Sequence, residues 1–323
     1  MKQVLITGCA GFIGFHTCLK MIKVGWTVYG IDCMFEDVNT DFKQKRLKQL
    51  ISKGLKFQKI DLSKKSETVN YFNTVDPEVI IHLAARTGVR ASIETPNAYI
   101  DANITGFCNV CEAIKDRTLH LIYASSSSVY GKSDQIPYQE NLKSDAPVSV
   151  YAATKKANEL LAHYYAEFYQ LTMTGLRFFT VYGPWNRKDM AVYLFLDAIS
   201  QQNPIRLFNH GKMKRDFTYV EDIVESIYRL AEKGEYLNGP MPQNAIFNIG
   251  YGEPVELETL VDEIQKNLNQ QAIIRYEEIQ QGDMINTWAD NAALKALIGY
   301  SPKVSIQEGL KLTADWFKQS GQE

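Results

Sequence analysis

Val4-Leu5-Ile6-Thr7-Gly8-Cys9-Ala10-Gly11-Phe12-Ile13-Gly14 runs from a short apolar segment through three glycines at G-x-x-G-x-x-G spacing into an amphipathic run over Phe12–Val24. The pattern predicts a strand, a tight turn and a helix. Glycines permit that turn and let backbone approach a ligand, while the helix N-terminus offers N–H donors and a partial positive charge to a pyrophosphate. A strand–helix turn with no ligand can use the same triplet, so the acid that follows matters. Asp32 ends the second strand near the roughly 20-residue spacing at which a carboxylate holds the adenosine ribose hydroxyls. A carboxylate there repels a 2′-phosphate and favours NAD over NADP.

Outward from this unit, Thr27–Ile31, Lys56–Ile60, Val79–Leu83, Leu119–Ala124 and Thr174–Phe178 read as short strands rich in Val, Ile and Leu. Between them, Asp41–Ser52, Lys64–Asn73, Asn97–Lys115 and Tyr151–Leu171 read as helices. Such alternation predicts an α/β fold with a doubly wound parallel sheet covered on both faces. Asp61-Leu62 and Leu83-Ala84-Ala85 end strands at the carboxyl edge, where ligands of such sheets bind, although Asp61 could equally cap the next helix. Beyond Arg177 the rhythm becomes irregular. Helices near Val192–Gln202, Val220–Lys233, Leu257–Leu268 and Ser305–Lys318 are separated by loops carrying Pro204, Gly211, Pro242, Gly282 and Pro302. The expectation is a cofactor domain over 1–177 and a smaller mixed α/β substrate domain over 178–323, with segments near 216–250, notably Ala245–Ile249, returning to the main sheet.

The 323 residues, 45% apolar and 22% charged, have ordinary globular composition. A net charge of −2 gives no general attraction to nucleic acid or an anionic membrane. No apolar run approaches the roughly 20 residues of a membrane span, and the first apolar segment is broken by glycine, unlike a signal peptide; a cytoplasmic location is expected. The five cysteines are an odd set without framework spacing. Cys108 and Cys111 form a Cys-x-x-Cys but lie in an apolar helical run with no second ligand pair nearby, so buried thiols are expected and no metal site.

Strand five runs into Ser125-Ser126-Ser127-Ser128-Val129-Tyr130-Gly131, and the next helix opens Tyr151-Ala-Ala-Thr-Lys155. Four hydroxyls at a strand end are expensive to bury unpaired, so they are expected to face a polar ligand rather than form a solvent turn. Tyr151 and Lys155, four apart on a helix, share one face. A lysine cation beside the phenol would pull its pKa down from about 10, making Tyr151 a candidate general base.

Gly8-x-x-Gly11-x-x-Gly14, Asp32, Ser125–Gly131 and Tyr151-x-x-x-Lys155 together resemble the extended short-chain dehydrogenase/reductase family of nucleotide-sugar enzymes, built on a Rossmann-type fold. Four further segments are similar to the branch acting at carbon 4 of UDP-hexuronic acids: His82–Arg90, Tyr151–Glu159, Leu176–Trp185 and Gly211–Tyr219. The resemblance spans almost the whole chain. It implies Ser126, Tyr151 and Lys155 as catalytic residues. For NAD it implies Gly8, Gly11, Phe12, Ile13, Gly14, Asp32, Asp61, Leu62, Leu83, Ala84, Ala85 and Asn103, with Tyr151 and Lys155 again. Arg215 and Asp283 are expected on the UDP moiety, and Arg90 on the substrate. A homodimer through the helices Asn97–Lys115 and Tyr151–Leu171 is implied too. Cys33 and Gln280 depart from residues common in relatives, which puts in doubt one adenosine contact and one phosphate contact.

The implied reaction interconverts UDP-glucuronate and UDP-galacturonate through a 4-keto sugar that turns over before it is reduced again. That ketone is a β-keto acid, so its carboxylate must be held; Ser127, Ser128, Thr180 and Arg187 are the candidate clamp, Arg187 by a bidentate pair. Arg187 could otherwise be a plain loop cation. A UDP-glucuronate decarboxylase shares the first oxidation and differs in product. A UDP-glucose/UDP-galactose epimerase leaves Arg187 and Thr180 without a reason, and a non-catalytic NAD-binding protein would not need the intact trio.

Overall fold

The computed structural model describes residues 2–232, 241–279 and 285–320. Its strands, in chain order, are β1 (Gln3–Thr7), β2 (Thr27–Asp32), β3 (Lys56–Lys59), β4 (Val79–His82), β5 (His120–Ser126), β6 (Thr172–Phe178), β7 (Thr180–Tyr182), β8 (Pro204–Phe208), β9 (Lys214–Tyr219), β10 (Asn244–Ile249), β11 (Pro254–Glu256), β12 (Ile273–Glu277) and β13 (Asn286–Thr287). Seven of them form one parallel sheet in the order β10-β6-β5-β4-β1-β2-β3. The order reverses between β1 and β4, which opens a crevice at their carboxyl ends.

Helices cover both faces of this sheet, and its inner strands β1, β4, β5 and β6 are buried on both sides for that reason. Val4 and Ile6 enter a core beneath the helices Phe12–Lys23 and Val220–Glu232. Leu5 points the other way, into a core shared with Phe107, Val110, Tyr165 and Ala166 from the helices Gly106–Ile114 and Val150–Tyr169.

Past residue 177 the chain divides its loyalties. β10 pairs in parallel with β6 at the edge of the large sheet. The helix Val220–Glu232 lies on the helix Phe12–Lys23, joined by a Lys20–Glu225 ion pair of 2.7 Å. The remainder builds a second body: β9 between β11 and β13, with β7 also on β9, and the pair β12–β8. Its core contains Tyr182, Leu196, Leu207, Phe217 and Leu260.

The segment expected as one helix over Asn97–Lys115 is interrupted. Pro96–Tyr99 is α-helical, Ile100–Thr105 is a π-turn, and the α-helix resumes at Gly106–Ile114. A π-turn displaces backbone groups from the regular ladder and commonly accompanies a functional site. Here it frees the carbonyl of Asn103 for the Asn158 amide at 2.7 Å.

Candidate active site

The glycine loop follows β1 as the spacing predicts. Gly8 has φ +70°, and a Cβ there would stand 2.7 Å from the Ala84 nitrogen. At Gly14 a Cβ would meet the Gly8 carbonyl oxygen at 2.1 Å. Only glycine lets the helix Phe12–Lys23 start so close to the end of β1 and of β4. That helix has no side chain capping its N-terminus and no acid in its first turn, so its N–H groups face the crevice unneutralised.

Asp32 accepts from Met34 N at 2.8 Å through Oδ1 and from Ala10 N at 3.2 Å through Oδ2. Burial pushes its carboxyl up, against these N–H groups and the nearby Lys43 and Arg46 cations. Each carboxylate oxygen retains acceptor capacity for a ribose hydroxyl. Arg46, fully buried, donates to the Ala10 carbonyl at 2.7 Å and braces the loop from below. The cradle fits a dinucleotide: backbone N–H groups for the diphosphate, a carboxylate at the ribose position, and no room for side chains between.

Around this cradle the expected contacts divide. Asp61 makes a local turn, accepting from Ser63 N at 3.0 Å and Ser63 Oγ at 2.7 Å, and the helix it precedes starts only at Lys65. Leu62 packs into the core, its carbonyl taken by Asn109. Leu83 and Ala84 line the loop itself. Asn103 is held on both sides by the protein. Its Oδ1 accepts from Arg86 N at 2.8 Å, and its Nδ2 donates to Arg86 O and Thr154 Oγ1 at 3.0 Å each. With both halves of the amide engaged by protein, Asn103 ties the loop after β4 to the helix Val150–Tyr169.

The trio expected to be catalytic gathers at the end of β5. Ser126 Oγ accepts from Ser128 N at 3.2 Å and Ser128 Oγ at 3.0 Å, and the Ser126 hydroxyl favours the ionised form of the Tyr151 phenol. Lys155 Nζ donates to the Ala124 carbonyl at 2.8 Å, and burial pushes its amine down to about 8. The electrostatics differ from the sequence expectation. Burial raises the Tyr151 phenol, and what opposes it is the Ser126 hydroxyl and the charge of Arg187, while Lys155 is occupied with the Ala124 carbonyl.

The serine run does not face one way. Ser125 lies on the opposite side of β5 from Ser126 and donates at 2.7 Å to Glu159 Oε1. Glu159 is gripped by Arg177 through Nε at 2.8 Å and Nη2 at 2.9 Å, with Lys156 Nζ at 3.2 Å. Ser125 is therefore a support beneath the site. Ser127 and Ser128 begin the 3₁₀ turn Ser127–Tyr130, and Thr180 starts β7.

Arg187 reaches the same space from the loop after β7. Its Nη1 donates to the Thr87 hydroxyl, and Nε and Nη2 pair with Asp189. Thr87 is tied in turn to Tyr99, whose hydroxyl donates to the Thr87 carbonyl at 2.8 Å and whose ring lies 6.4 Å from that of Tyr151. Arg90 stacks over Phe208 at 5.6 Å, bridging the loop after β4 to the second body. Arg215, on β9, donates to Lys214 O and Ile285 O at 2.9 and 3.0 Å. Asp283 and Gln280 lie outside the described residues.

The sequence profile of the NAD-dependent epimerase/dehydratase family matches residues 4–250. The chain belongs to this family. Among family members, Protein CapI of Staphylococcus aureus is 43% identical, with 98% of each chain covered. The UDP-glucuronate 4-epimerase of Thermodesulfobacterium geofontis is 38% identical over 99% of this chain and 97% of its own. The crystal structure of UDP-glucuronic acid 4-epimerase from Bacillus cereus, in complex with UDP-glucuronic acid and NAD, is similar at a TM-score of 0.90 and 30% identity, covering 98% of this chain and 99% of that one.

Several residues that build this family member's site escaped sequence reading. Glu159 continues the Tyr151–Lys155 face one further turn, a signal that helical spacing carries. Arg46, Thr87 and Tyr99 reach the site only through tertiary packing and leave no local pattern.

Proposed function

We propose that this chain is an NAD-dependent 4-epimerase interconverting UDP-glucuronate and UDP-galacturonate. The observation that carries the reading is the convergence of the Ser126–Tyr151 pair and the Arg187 guanidinium beside the dinucleotide cradle. Gly8, Gly11, Phe12, Ile13 and Gly14 would hold the cofactor diphosphate and Asp32 the adenosine ribose, and Leu83, Ala84, Ala85, Tyr151 and Lys155 would complete the cofactor site. Bound NAD supplies the acceptor and donor of hydride at carbon 4.

Tyr151 Oη takes the proton of the sugar 4-hydroxyl, and the Ser126 hydroxyl hydrogen-bonds the same oxygen. Lys155, buried and cationic, adds positive potential behind the phenolate. The 4-keto sugar turns over about its diphosphate, anchored by Arg215 and Asp283, and Tyr151 returns the proton when the opposite face is reduced. Arg187, with Ser127, Ser128 and Thr180, holds the carboxylate so that its bond to carbon 5 does not align with the carbonyl π system. A neutral hexose gives no use for a guanidinium at this place, which favours the hexuronic acid.

We also propose a homodimer. Leu160, Tyr164 and Phe168 follow one another at four-residue steps on the helix Val150–Tyr169, exposed by 62%, 48% and 70%. Such an apolar stripe fits burial against a second copy. No described helix is long and apolar enough to cross a membrane; a cytoplasmic location is supported by the five free cysteines. Tyr151→Phe tests the base: turnover should fall by at least about 100-fold while UDP-glucuronate still binds. A variant that keeps near-normal turnover removes Tyr151 from the role.

A further inference from the structure

Arg187 stands in a tight loop whose shape is fixed locally. Its own N–H donates to Asn186 Oδ1 at 2.8 Å, Met190 N–H donates back to the Arg187 carbonyl at 3.2 Å, and Asn186 is buried. That turn places Asp189 against the guanidinium, with Oδ1 at 3.0 Å from Nε and Oδ2 in contact with Nη2. The Asn39 amide oxygen accepts from the neighbouring Lys188 N at 2.8 Å, and Asn39 favours the ionised form of Asp189. Asn39 is buried in the loop that follows Asp32.

We propose that Asp189 is a positioning residue for carboxylate recognition: it grips the Nε–Nη2 edge of Arg187 and fixes the guanidinium plane, leaving the outer hydrogens for the carboxylate of the sugar. The inference rests on the reading of Arg187 as the clamp. A guanidinium has five N–H donors. Asp189 engages one on Nε and one on Nη2, and Thr87 accepts one from Nη1. One hydrogen remains on each terminal nitrogen, and both are donors that a second carboxylate can accept. Asp189 also offsets part of the charge of Arg187, so selection depends on geometry as well as on net attraction.

Geometry is what the chemistry demands. If the carboxylate of the 4-keto sugar rotates, the bond between carbons 5 and 6 can align with the carbonyl. It then breaks, its electron pair passing into the carbonyl as an enolate that takes a proton from solvent while carbon dioxide leaves. The product is a 4-keto pentose, and the hydride removed at carbon 4 is not returned. A guanidinium released from Asp189 can swing, and the carboxylate with it.

The test compares Asp189→Ala, Asp189→Glu and Arg187→Ala as NAD-loaded enzymes. Binding of UDP-glucuronate and of UDP is measured by calorimetry in the Tyr151→Phe background. Products are measured by mass spectrometry with Tyr151 intact. Asp189→Ala should weaken UDP-glucuronate by about tenfold and UDP by less than about twofold, as expected when a charge-assisted contact loosens. It should also raise the ratio of 4-keto pentose to UDP-galacturonate, and Asp189→Glu should bring that ratio part of the way back. Unchanged or tighter UDP-glucuronate binding would make Asp189 a competitor and overturn the proposal. Equal weakening of UDP, or weaker binding with an unchanged product ratio, would reduce Asp189 to a fold contact. If Arg187→Ala weakens UDP-glucuronate and Asp189→Ala does not, only this inference fails; if Arg187→Ala also binds normally, the clamp itself is lost.

Discussion

Glu159→Gln removes one charge from the most enclosed ion pair near the site. The Glu159 and Arg177 side chains are 2% and 3% exposed and joined by two bonds of 2.8 and 2.9 Å. Burial pushes the Glu159 carboxyl up, but the hydrogen bonds and charge of Arg177, with Ser125 and Lys156, hold it below its usual 4.5. Breaking a buried pair by neutralising one partner costs about 3–5 kcal/mol, because the remaining charge stays desolvated. Arg177 keeps the Glu140 carbonyl at 3.1 Å and the Tyr130 ring at 4.7 Å. The lower end of that range, about 3 kcal/mol, is therefore expected. The exposed pair Lys143–Asp145, with side chains 85% and 62% exposed, provides the comparison. Asp145→Asn should change stability by less than about 0.5 kcal/mol.

The assay is urea unfolding of the NAD-loaded enzyme, comparing midpoints at unchanged slope. The pH dependence has a definite sign. A carboxyl with a depressed folded pKa contributes its stability above its unfolded value and loses it as pH falls through the folded one. The gap between wild type and Glu159→Gln should thus persist from about pH 7 to 5 and close only below about 4.5. A gap below about 1 kcal/mol, or one that already closes near pH 6, would refute the assignment of a stabilising buried pair beneath Ser126.

Two other outcomes are expected. In Arg187→Ala the acid limb of kcat/KM, set by Tyr151 losing its proton, should move to higher pH, since a cation favouring the phenolate is gone; a pH profile without that movement would separate Arg187 from the base. Light scattering should give wild type twice the mass of one 36.7 kDa chain and the double variant Leu160→Glu/Phe168→Glu the mass of one, whereas a dimer that survives both changes would place the interface elsewhere.

The large sheet was legible because its inner strands are mostly apolar and its strands alternate with amphipathic helices. Six strands of the parallel sheet were expected within a few residues of their observed ends, and β10 from Ala245–Ile249 alone. In the second body the helices were legible and the short strands were not, because β7, β11 and β13 span two or three residues each and β9 mixes charges with aromatics. Tyr151 and Lys155 could be placed on one face by helical spacing. Ser125 was misjudged because four identical residues hide the period of two that turns it from Ser126 towards Glu159. Asn103 was placed in the right region, but its role depends on a π-turn that no residue pattern announces. Asp189 stands two residues from Arg187 in a loop, where spacing says nothing about which side chains meet.

The most direct test is the nucleotide sugar formed when the NAD-loaded enzyme is given UDP-glucuronate in deuterated water, identified by NMR. The account predicts UDP-galacturonate, inverted at carbon 4 and carrying protium there, because the hydrogen removed is the hydrogen returned. UDP-glucuronate recovered unchanged with NAD demonstrably bound, or a UDP-pentose as the main product, would contradict it.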